Sequence, residues 1–140
     1  MTQVIGARDR QLAQELKAFN LRVPEWRALA ALHSRQRCSM RELADLASID
    51  RTTLTRTVDR MQKAGWLTRL SDSEDMRVTR LAPTAAAERL FARVWPTVER
   101  LNRTATGGLP EPAVEMLRWT LARMRENLDA ALDKPESRAA

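Results

Sequence analysis

Four threonines and three arginines share one short segment whose apolar residues have helical spacing. Residues 50–65 read DRTTLTRTVDRMQKAG, and threonine is a mediocre helix former because its branched Cβ loses rotamer freedom. Short hydroxyls and long guanidinium groups can together contact the phosphates and base edges of a nucleic acid. The alternative is an ordinary solvated face on which packing merely tolerates the threonines.

The spacing within this segment assigns its side chains to two faces. Leu54, Val58 and Met61 fall at i, i+4 and i+7, so we expect them to face a core. Asp50 is predicted to cap the helix N-terminus, and Gly65 to end the helix in a left-handed conformation. The opposite face would present the candidate nucleic-acid contacts: Arg51, Thr52, Thr53, Thr55, Arg56 and Arg60.

His33 and Cys38 are the other residues that could do chemistry, as a base and a nucleophile. Nothing in the sequence orients this pair, and no glycine-rich phosphate loop or metal-binding motif is present, so we predict no enzyme, no cofactor and no metal. Arg35 and Arg37 could lower the pKa of the Cys38 thiol, which keeps a redox-responsive function as an alternative. The other reading of Cys38 is burial as a small apolar residue.

Length and charge set the outer bounds. The chain has 140 residues, which suits one domain with a real core, and its single cysteine excludes an internal disulfide. A net charge of +6 favours polyanionic partners, although an arginine excess can also follow genome base composition. No apolar run is long enough for a membrane helix or a signal peptide, so we expect a cytoplasmic protein with no membrane association.

Helical patterns precede the arginine-threonine segment. Residues 8–19 place Leu12, Leu16 and Phe19 on one helical face, and Pro24 is typical of the first turn of a second helix. HSRQRC (33–38) is predicted to be a loop. SMRE (39–42) is a capping box that should begin a short third helix, which ends near residue 48.

A change of periodicity follows. WLTRL (66–70) and RVTRLA (77–82) predict a two-stranded hairpin around the polar tip SDSEDM. Pro83 is expected to open a further helix, and Pro96 to kink it or lie near its end. After the turn GGLPEP (107–112), a final helix carries an apolar seam. The predicted fold is mainly α with a small β-hairpin wing, a winged helix-turn-helix flanked by N- and C-terminal helices.

The flanking helices carry more apolar surface than one small winged domain needs to cover. We therefore predict dimerisation helices at 1–22 and 83–133 around a DNA-binding lobe at 23–82, with a disordered tail at 134–140. A two-fold dimer would place two recognition helices about 34 Å apart and require a pseudo-palindromic duplex. A monomeric bundle is the alternative. The predicted interface residues are Leu12, Leu16, Val114, Leu117, Leu121, Met124 and Leu128.

Three segments resemble, in order, the MarR-type bacterial transcriptional regulators. They are LRVPEWRALAAL, SMRELADLASIDRTTLTRTVDRMQKAGWLTR and SEDMRVTRLAPTAAAERL. The resemblance implies a homodimeric regulator of double-stranded DNA, more often a repressor than an activator. It also implies that Arg77 enters the minor groove, oriented by Asp75. Ser39, Arg41 and Arg69 complete the predicted DNA-binding set.

The resemblance has departures and leaves alternatives. LAPTA (81–85) replaces the usual Leu-Thr-x-x-Gly, with Pro83 as a possible substitute cap, and Met76 stands where a second wing arginine is common. Because the wing tip is acidic, an alternative function is a winged helix that contacts protein or RNA instead of duplex DNA. The family also binds small aromatic or phenolic effectors, for which the candidates here are Phe19, Trp26, His33 and Trp95; such aromatics can equally be core residues.

Overall fold

The computed structural model describes residues 2–71 and 79–132 and confirms a mainly helical fold with one antiparallel hairpin. Its described residues divide into two compact units, one ending at Asn102 and the other beginning at Arg103. The elements are α1 (Thr2–Leu16, followed by a 3-10 turn Lys17–Phe19), α2 (Val23–Arg35), α3 (Met40–Ala47), α4 (Arg51–Lys63), β1 (Leu67–Ser71), β2 (Thr79–Pro83), α5 (Ala85–Ala105) and α6 (Glu111–Leu132).

The first unit has one continuous hydrophobic core, to which helices α1 to α5 and both strands contribute. Leu54, Val58 and Met61 of α4 are completely buried, as their spacing predicts. Burying a side chain of this size stabilises the fold by about 1.5–3 kcal/mol, so α4 is held firmly by one face. The largest buried partners on other elements include Leu12, Leu16, Leu29, Leu32, Leu43, Leu81 and Val94.

Helices α3 and α4 are joined by a three-residue turn that ends at the predicted cap, Asp50. Ser48 ends α3 at φ 52°, and the amide of Ile49 donates to the Ala44 carbonyl across 3.0 Å. Asp50 Oδ1 then accepts the amide of Thr53 at 2.9 Å, which starts α4. The turn is therefore closed by hydrogen bonds within about one helical turn on either side.

One boundary before α3 differs from the sequence prediction. Helix α2 continues through His33 to Arg35 instead of giving way to a loop. The remainder of the predicted loop is ordered by β2, because Cys38 and Leu81 exchange backbone hydrogen bonds of 3.1 and 2.7 Å. This long-range bridge leaves no signal in the local sequence.

The start and course of α5 also correct the prediction. Pro83 ends β2 opposite Leu67 and does not open the helix. Thr84 is the cap, because its hydroxyl accepts the Ala87 amide at 3.2 Å and donates to the Gly65 carbonyl at 2.6 Å. Pro96 lies in the interior of α5, which continues to Ala105, so the proline is not near the helix end, and the alternative of a kink stays a prediction.

The second unit consists of the end of α5, a turn and helix α6. Gly108, at φ 81°, makes the turn that the sequence GGLPEP predicts. The predicted wing tip and tail lie outside the described residues. None of the helices in residues 2–71 and 79–132 is long and apolar enough to cross a membrane.

Candidate nucleic-acid interface

The outer face of α4 carries the exposed residues that its pattern predicts. Arg51, Thr52, Thr55 and Arg56 are all exposed, while Thr53 is half-buried. Within the described part of the chain, the guanidinium groups of Arg51 and Arg56 form no side-chain hydrogen bond or ion pair. Both cations therefore have their donors available for an external partner.

Two of the four threonine hydroxyls bond back to their own helix. Thr55 Oγ1 donates to the Arg51 carbonyl at 3.0 Å, and Thr57 Oγ1 donates to the Thr53 carbonyl at 2.8 Å. Thr57 is buried, so its hydroxyl needs this partner. Packing thus accounts for Thr57, whereas Thr55 remains exposed with its oxygen able to accept a further hydrogen bond.

Arg60, a predicted DNA contact, is an ion-pair partner of a buried carboxylate. Its Nε lies 2.7 Å from Oε1 of Glu25, which is on α2 and only 2% exposed. The other carboxylate oxygen of Glu25 accepts the backbone amide of Arg22 at 2.9 Å, at the start of α2. Arg60 is therefore tied to the protein through Nε and is not a freely projecting cation like Arg56.

Arg69 on β1 is likewise engaged within the protein. Its Nη2 lies 2.9 Å from Oδ1 of Asp59, and its Nε donates to Oε1 of Gln62 at 2.9 Å. Both partners are on α4, so these two hydrogen bonds link β1 to α4. Its exposure makes it a weak contributor to stability, about 0–1 kcal/mol.

The predicted contacts on α3 have different surroundings. Ser39 forms the capping box: its Oγ accepts the Glu42 amide at 3.2 Å, and its own amide donates to Glu42 Oε2 at 2.7 Å. These bonds lower the pKa of Glu42, which also pairs with Arg80 at 3.0 Å. Arg41 is exposed and has no side-chain partner in the described residues. Asp75 and Arg77, the predicted minor-groove pair, lie outside the described residues.

A pocket of about 210 Å³ opens between the start of α2 and the outer face of α4. Glu25 contributes a buried carboxylate whose two oxygens already have partners. The pocket is lined by Arg22, Pro24, Glu25, Thr53, Arg56, Thr57 and Arg60. Its rim is strongly basic and continuous with the exposed arginines of α4.

Three of the four candidate effector residues converge on one aromatic cluster. Trp26 and Trp95 each stack on Phe91, with centroid distances of 5.4 and 5.6 Å, and the His33 ring stacks on Phe91 at 3.8 Å. Phe91 is therefore the central residue, which the effector prediction omitted. Phe19 is not part of this stack and instead lies 6.0 Å from the guanidinium of Arg93.

A carboxylate completes the exposed side of the aromatic cluster. Oε2 of Glu88 lies 2.6 Å from His33 Nδ1, and Oε1 accepts from Gln36 at 3.1 Å. Partial burial works against ionisation of Glu88, but the hydrogen bonds from His33 and Gln36 outweigh it and lower its pKa. His33 is thus a partnered side chain rather than a base beside Cys38.

Cys38 is buried and lacks the properties of a reactive thiol. Burial, reinforced by the charge of Glu42, raises its pKa to about 11, although Arg80 and Arg35 oppose the rise. Arg35 thus lowers this pKa as the redox alternative requires, but the cost of burying the thiolate is larger. Among the described residues, no group of histidine, cysteine and carboxylate side chains could hold a metal ion.

The predicted dimer residues fall into two groups. Leu12 and Leu16 are buried in the core of the first unit, and Val114 is also buried, so none of the three offers a free surface in the protomer. The others of the seam are exposed on α6: Leu117, Leu121, Met124 and Leu128. Met116 and Trp119 are two further exposed apolar residues of α6 that the seam did not include.

Taken together, the first unit has the parts of a winged helix. Helices α3 and α4 form a helix-turn-helix, the β1–β2 hairpin follows directly, and α4 presents basic and hydroxyl side chains outward. In this class the second helix of the motif enters the major groove of DNA.

Comparison with known proteins gives the family. Residues 21–79 match the model of the MarR family. The transcriptional repressor IacR of Pseudomonas putida is 28% identical over 129 residues, or 92% of this chain and 77% of IacR. A MarR-family regulator from Silicibacter pomeroyi is 26% identical, with 91% of this chain and 86% of that chain covered and a TM-score of 0.81.

A third similar protein was solved with a small molecule. NadR in complex with 4-hydroxyphenylacetate is 27% identical, covers 89% of this chain and 88% of its own, and has a TM-score of 0.79. These similarities support a MarR-type winged-helix regulator, as the sequence motifs predict, with residues 21–79 as its MarR domain. It is accordingly a DNA-binding regulator and not an enzyme, since the relatives that it matches are named as transcriptional regulators.

Proposed function

We propose that this protein is a homodimeric repressor that recognises a pseudo-palindromic operator in double-stranded DNA and is released by a small aromatic effector. Its place would be the cytoplasm, with the genomic DNA. The relative IacR, named as a repressor, supports the direction of the regulation.

The observation that carries the proposal is a pair of arginines on the exposed face of α4 that have no side-chain partner among the described residues. Arg51 and Arg56 are exposed, and the opposite face of their helix is anchored by completely buried side chains. Arginine reads guanine by donating two hydrogen bonds to O6 and N7, which needs a guanidinium with its donors available. Arg41 on α3 is proposed to contact the phosphate backbone.

The contacts proposed for the grooves are fewer than the full set that the sequence predicts. Thr52, Thr55, Arg51 and Arg56 are proposed as groove contacts, and Arg77, with Asp75, remains the predicted minor-groove contact. Arg60 and Arg69 are proposed to act mainly by fixing α4 and β1, because each is already paired with a carboxylate.

The homodimer is supported by the apolar side chains that α6 leaves exposed. Leu117, Leu121, Met124 and Leu128 recur at alternating intervals of four, three and four residues, which gives one seam along the helix. An exposed apolar stripe of this length is typical of an interaction surface. A two-fold dimer would present two copies of α4 to successive turns of the major groove.

The effector proposal rests on the aromatic cluster around Phe91. His33 and Trp95 are exposed at the surface of this cluster, and the related NadR binds 4-hydroxyphenylacetate. A planar aromatic ligand could stack on the exposed rings in the way that the rings stack on one another. Such a ligand would weaken DNA binding only if it preferred a conformation other than the DNA-bound one.

The proposal is tested by selecting binding sites from random duplex DNA with the purified protein at fixed, near-physiological salt. The expected result is an enriched inverted repeat with half-sites about 10 base pairs apart. Binding that depends on salt but enriches no sequence would contradict the proposed operator recognition. Sedimentation of the complex gives the number of protomers per duplex, and a single protomer would contradict the dimer.

A further inference from the structure

Glu25 is a completely buried carboxylate in the first turn of α2, to which the DNA-contact set assigns no role. Its residue is 2% exposed, and among the described residues only Glu25 and Thr57 are buried polar or charged side chains. Burying a carboxylate is costly unless it is paired and hydrogen-bonded. Its oxygens therefore need partners within the protein.

Both carboxylate oxygens of Glu25 have partners, and the partners belong to different helices. Oε2 accepts the Arg22 amide at 2.9 Å, which closes the start of α2, and Oε1 pairs with Arg60 Nε at 2.7 Å. Arg60 is one helical turn beyond Arg56 on α4, so the tether acts on the face that carries the groove contacts.

We propose that Glu25 is a positioning residue that holds the recognition helix through Arg60 and thereby sets sequence discrimination by Arg56. This inference rests on the proposed DNA-binding function and adds a residue that need not touch DNA. The buried face of α4 fixes its depth in the core through non-directional contacts, whereas the Glu25–Arg60 pair adds a directional bond on the side next to the outer face.

The local consequence is a firmer α4. A hydrogen bond to a charged group contributes enough to change an opening equilibrium about tenfold or more. Glu25→Gln should therefore accelerate hydrogen exchange of α4 amides about tenfold, as measured by mass spectrometry on peptides spanning 51–63. Exchange in α1 should change less than about twofold, because the substitution leaves its core contacts intact.

A matched control is available in an exposed pair of the same type. Glu15 Oε2 lies 2.8 Å from Arg100 Nη2, and both side chains are largely exposed. Glu15→Gln removes the same charge far from α4 in sequence and should leave α4 exchange unchanged. Equal effects of Glu15→Gln and Glu25→Gln on α4, or equal acceleration of α1 and α4 in Glu25→Gln, would overturn the positioning role.

Two substitutions of Arg60 distinguish a role in pairing with Glu25, called the tether here, from a role in contacting DNA. In Arg60→Gln the amide nitrogen stands at the position of Nε in the side chain, so it can still donate to Glu25, whereas Arg60→Leu cannot donate. The expected result is that α4 protection and operator preference are largely retained in Arg60→Gln and lost in Arg60→Leu. Equal loss in both variants would show that Arg60 acts through its terminal amino groups, which would contradict the tether.

The second readout is discrimination between the selected operator and a scrambled duplex of the same length. In Glu25→Gln the affinity ratio should fall about tenfold while affinity for the scrambled duplex stays within about twofold. An unchanged ratio would overturn the proposal. If the wild type itself shows no preference for any duplex, the proposed function fails, and the exchange measurement still decides whether Glu25 positions α4.

Discussion

Replacing Arg56 with alanine removes an exposed guanidinium from α4. Arg56 has no side-chain partner among the described residues, and alanine is at least as good a helix former as arginine. The free energy of unfolding should therefore stay within about 0.5 kcal/mol of the wild type.

The effect on DNA binding should be much larger. A bidentate arginine–guanine contact contributes about 1–3 kcal/mol of discrimination, and a two-fold dimer would make it twice, for a total of about 2–6 kcal/mol. Arg56→Ala is thus expected to lower the preference for the operator about 30-fold or more. Arg89→Ala on α5 is the matched control, because it removes an exposed arginine away from α4.

Fluorescence anisotropy at fixed salt, with the selected operator and a scrambled duplex, measures this preference directly. Retention of the wild-type preference in Arg56→Ala would refute the assignment of Arg56 to the groove. A uniform loss on both duplexes, with the salt slope reduced by about 0.9 per contact, would instead identify a phosphate contact.

Three further predictions concern the core, the thiol and the dimer. Leu43→Ala should lower the free energy of unfolding, measured by urea denaturation, by about 2–5 kcal/mol. Leu46→Ala, at a 44% exposed position of the same helix, should lower it by less than about 0.5 kcal/mol. Equal losses in the two variants would contradict the assignment of Leu43 to the core. Because burial raises the pKa of Cys38 to about 11 from 9.0, alkylation of Cys38 at pH 8 should be about 100-fold slower than that of an ordinary thiol. The rate of alkylation should rise with pH until the pH reaches this pKa. Rapid alkylation of the folded protein at pH 8 would instead support the redox-responsive alternative. Leu121→Glu should yield monomers in sedimentation while Arg123→Glu, on the opposite side of α6, should not, and a dimer that survives Leu121→Glu would exclude the proposed seam.

The parts of the fold that the sequence predicts correctly are those set by neighbours within a few residues. The capping box at Ser39, the cap at Asp50 and the left-handed Gly65 depend on local hydrogen bonds and backbone angles. The inner face of α4 is predicted because the spacing of Leu54, Val58 and Met61 directly reports which side is buried.

The parts that the sequence misplaces depend on distant partners. The amide bridge between Cys38 and Leu81 gives no periodic pattern, so residues 33–38 look like a loop although α2 extends to residue 35. Because a proline commonly opens a helix, the sequence predicts that α5 begins at Pro83. In the structure, β2 continues through Pro83, which pairs with Leu67, and Thr84 caps the helix.

The same limit applies to the candidate site. Sequence spacing places Arg56 and Arg60 on one helical face but cannot show that Arg60 meets a buried carboxylate from α2. Glu25 follows Arg22 by three residues, which is half of the capping-box pattern. The other half, a serine or threonine at the first position, is replaced by Arg22, so the sequence alone does not indicate a capping box here. The sequence also does not reveal the central position of Phe91 in the aromatic stack, because that position depends on the packing of α5 against α2.

The most direct test is to map the DNA contact on the protein by NMR, titrating the selected operator into the ¹⁵N-labelled protein. The largest amide shifts should fall at the start of α4, from Arg51 to Arg56, and at Arg41, with little change along α6. Large shifts confined to α6 or to the aromatic cluster around Phe91, with α4 unaffected, would contradict recognition of DNA by the exposed face of α4.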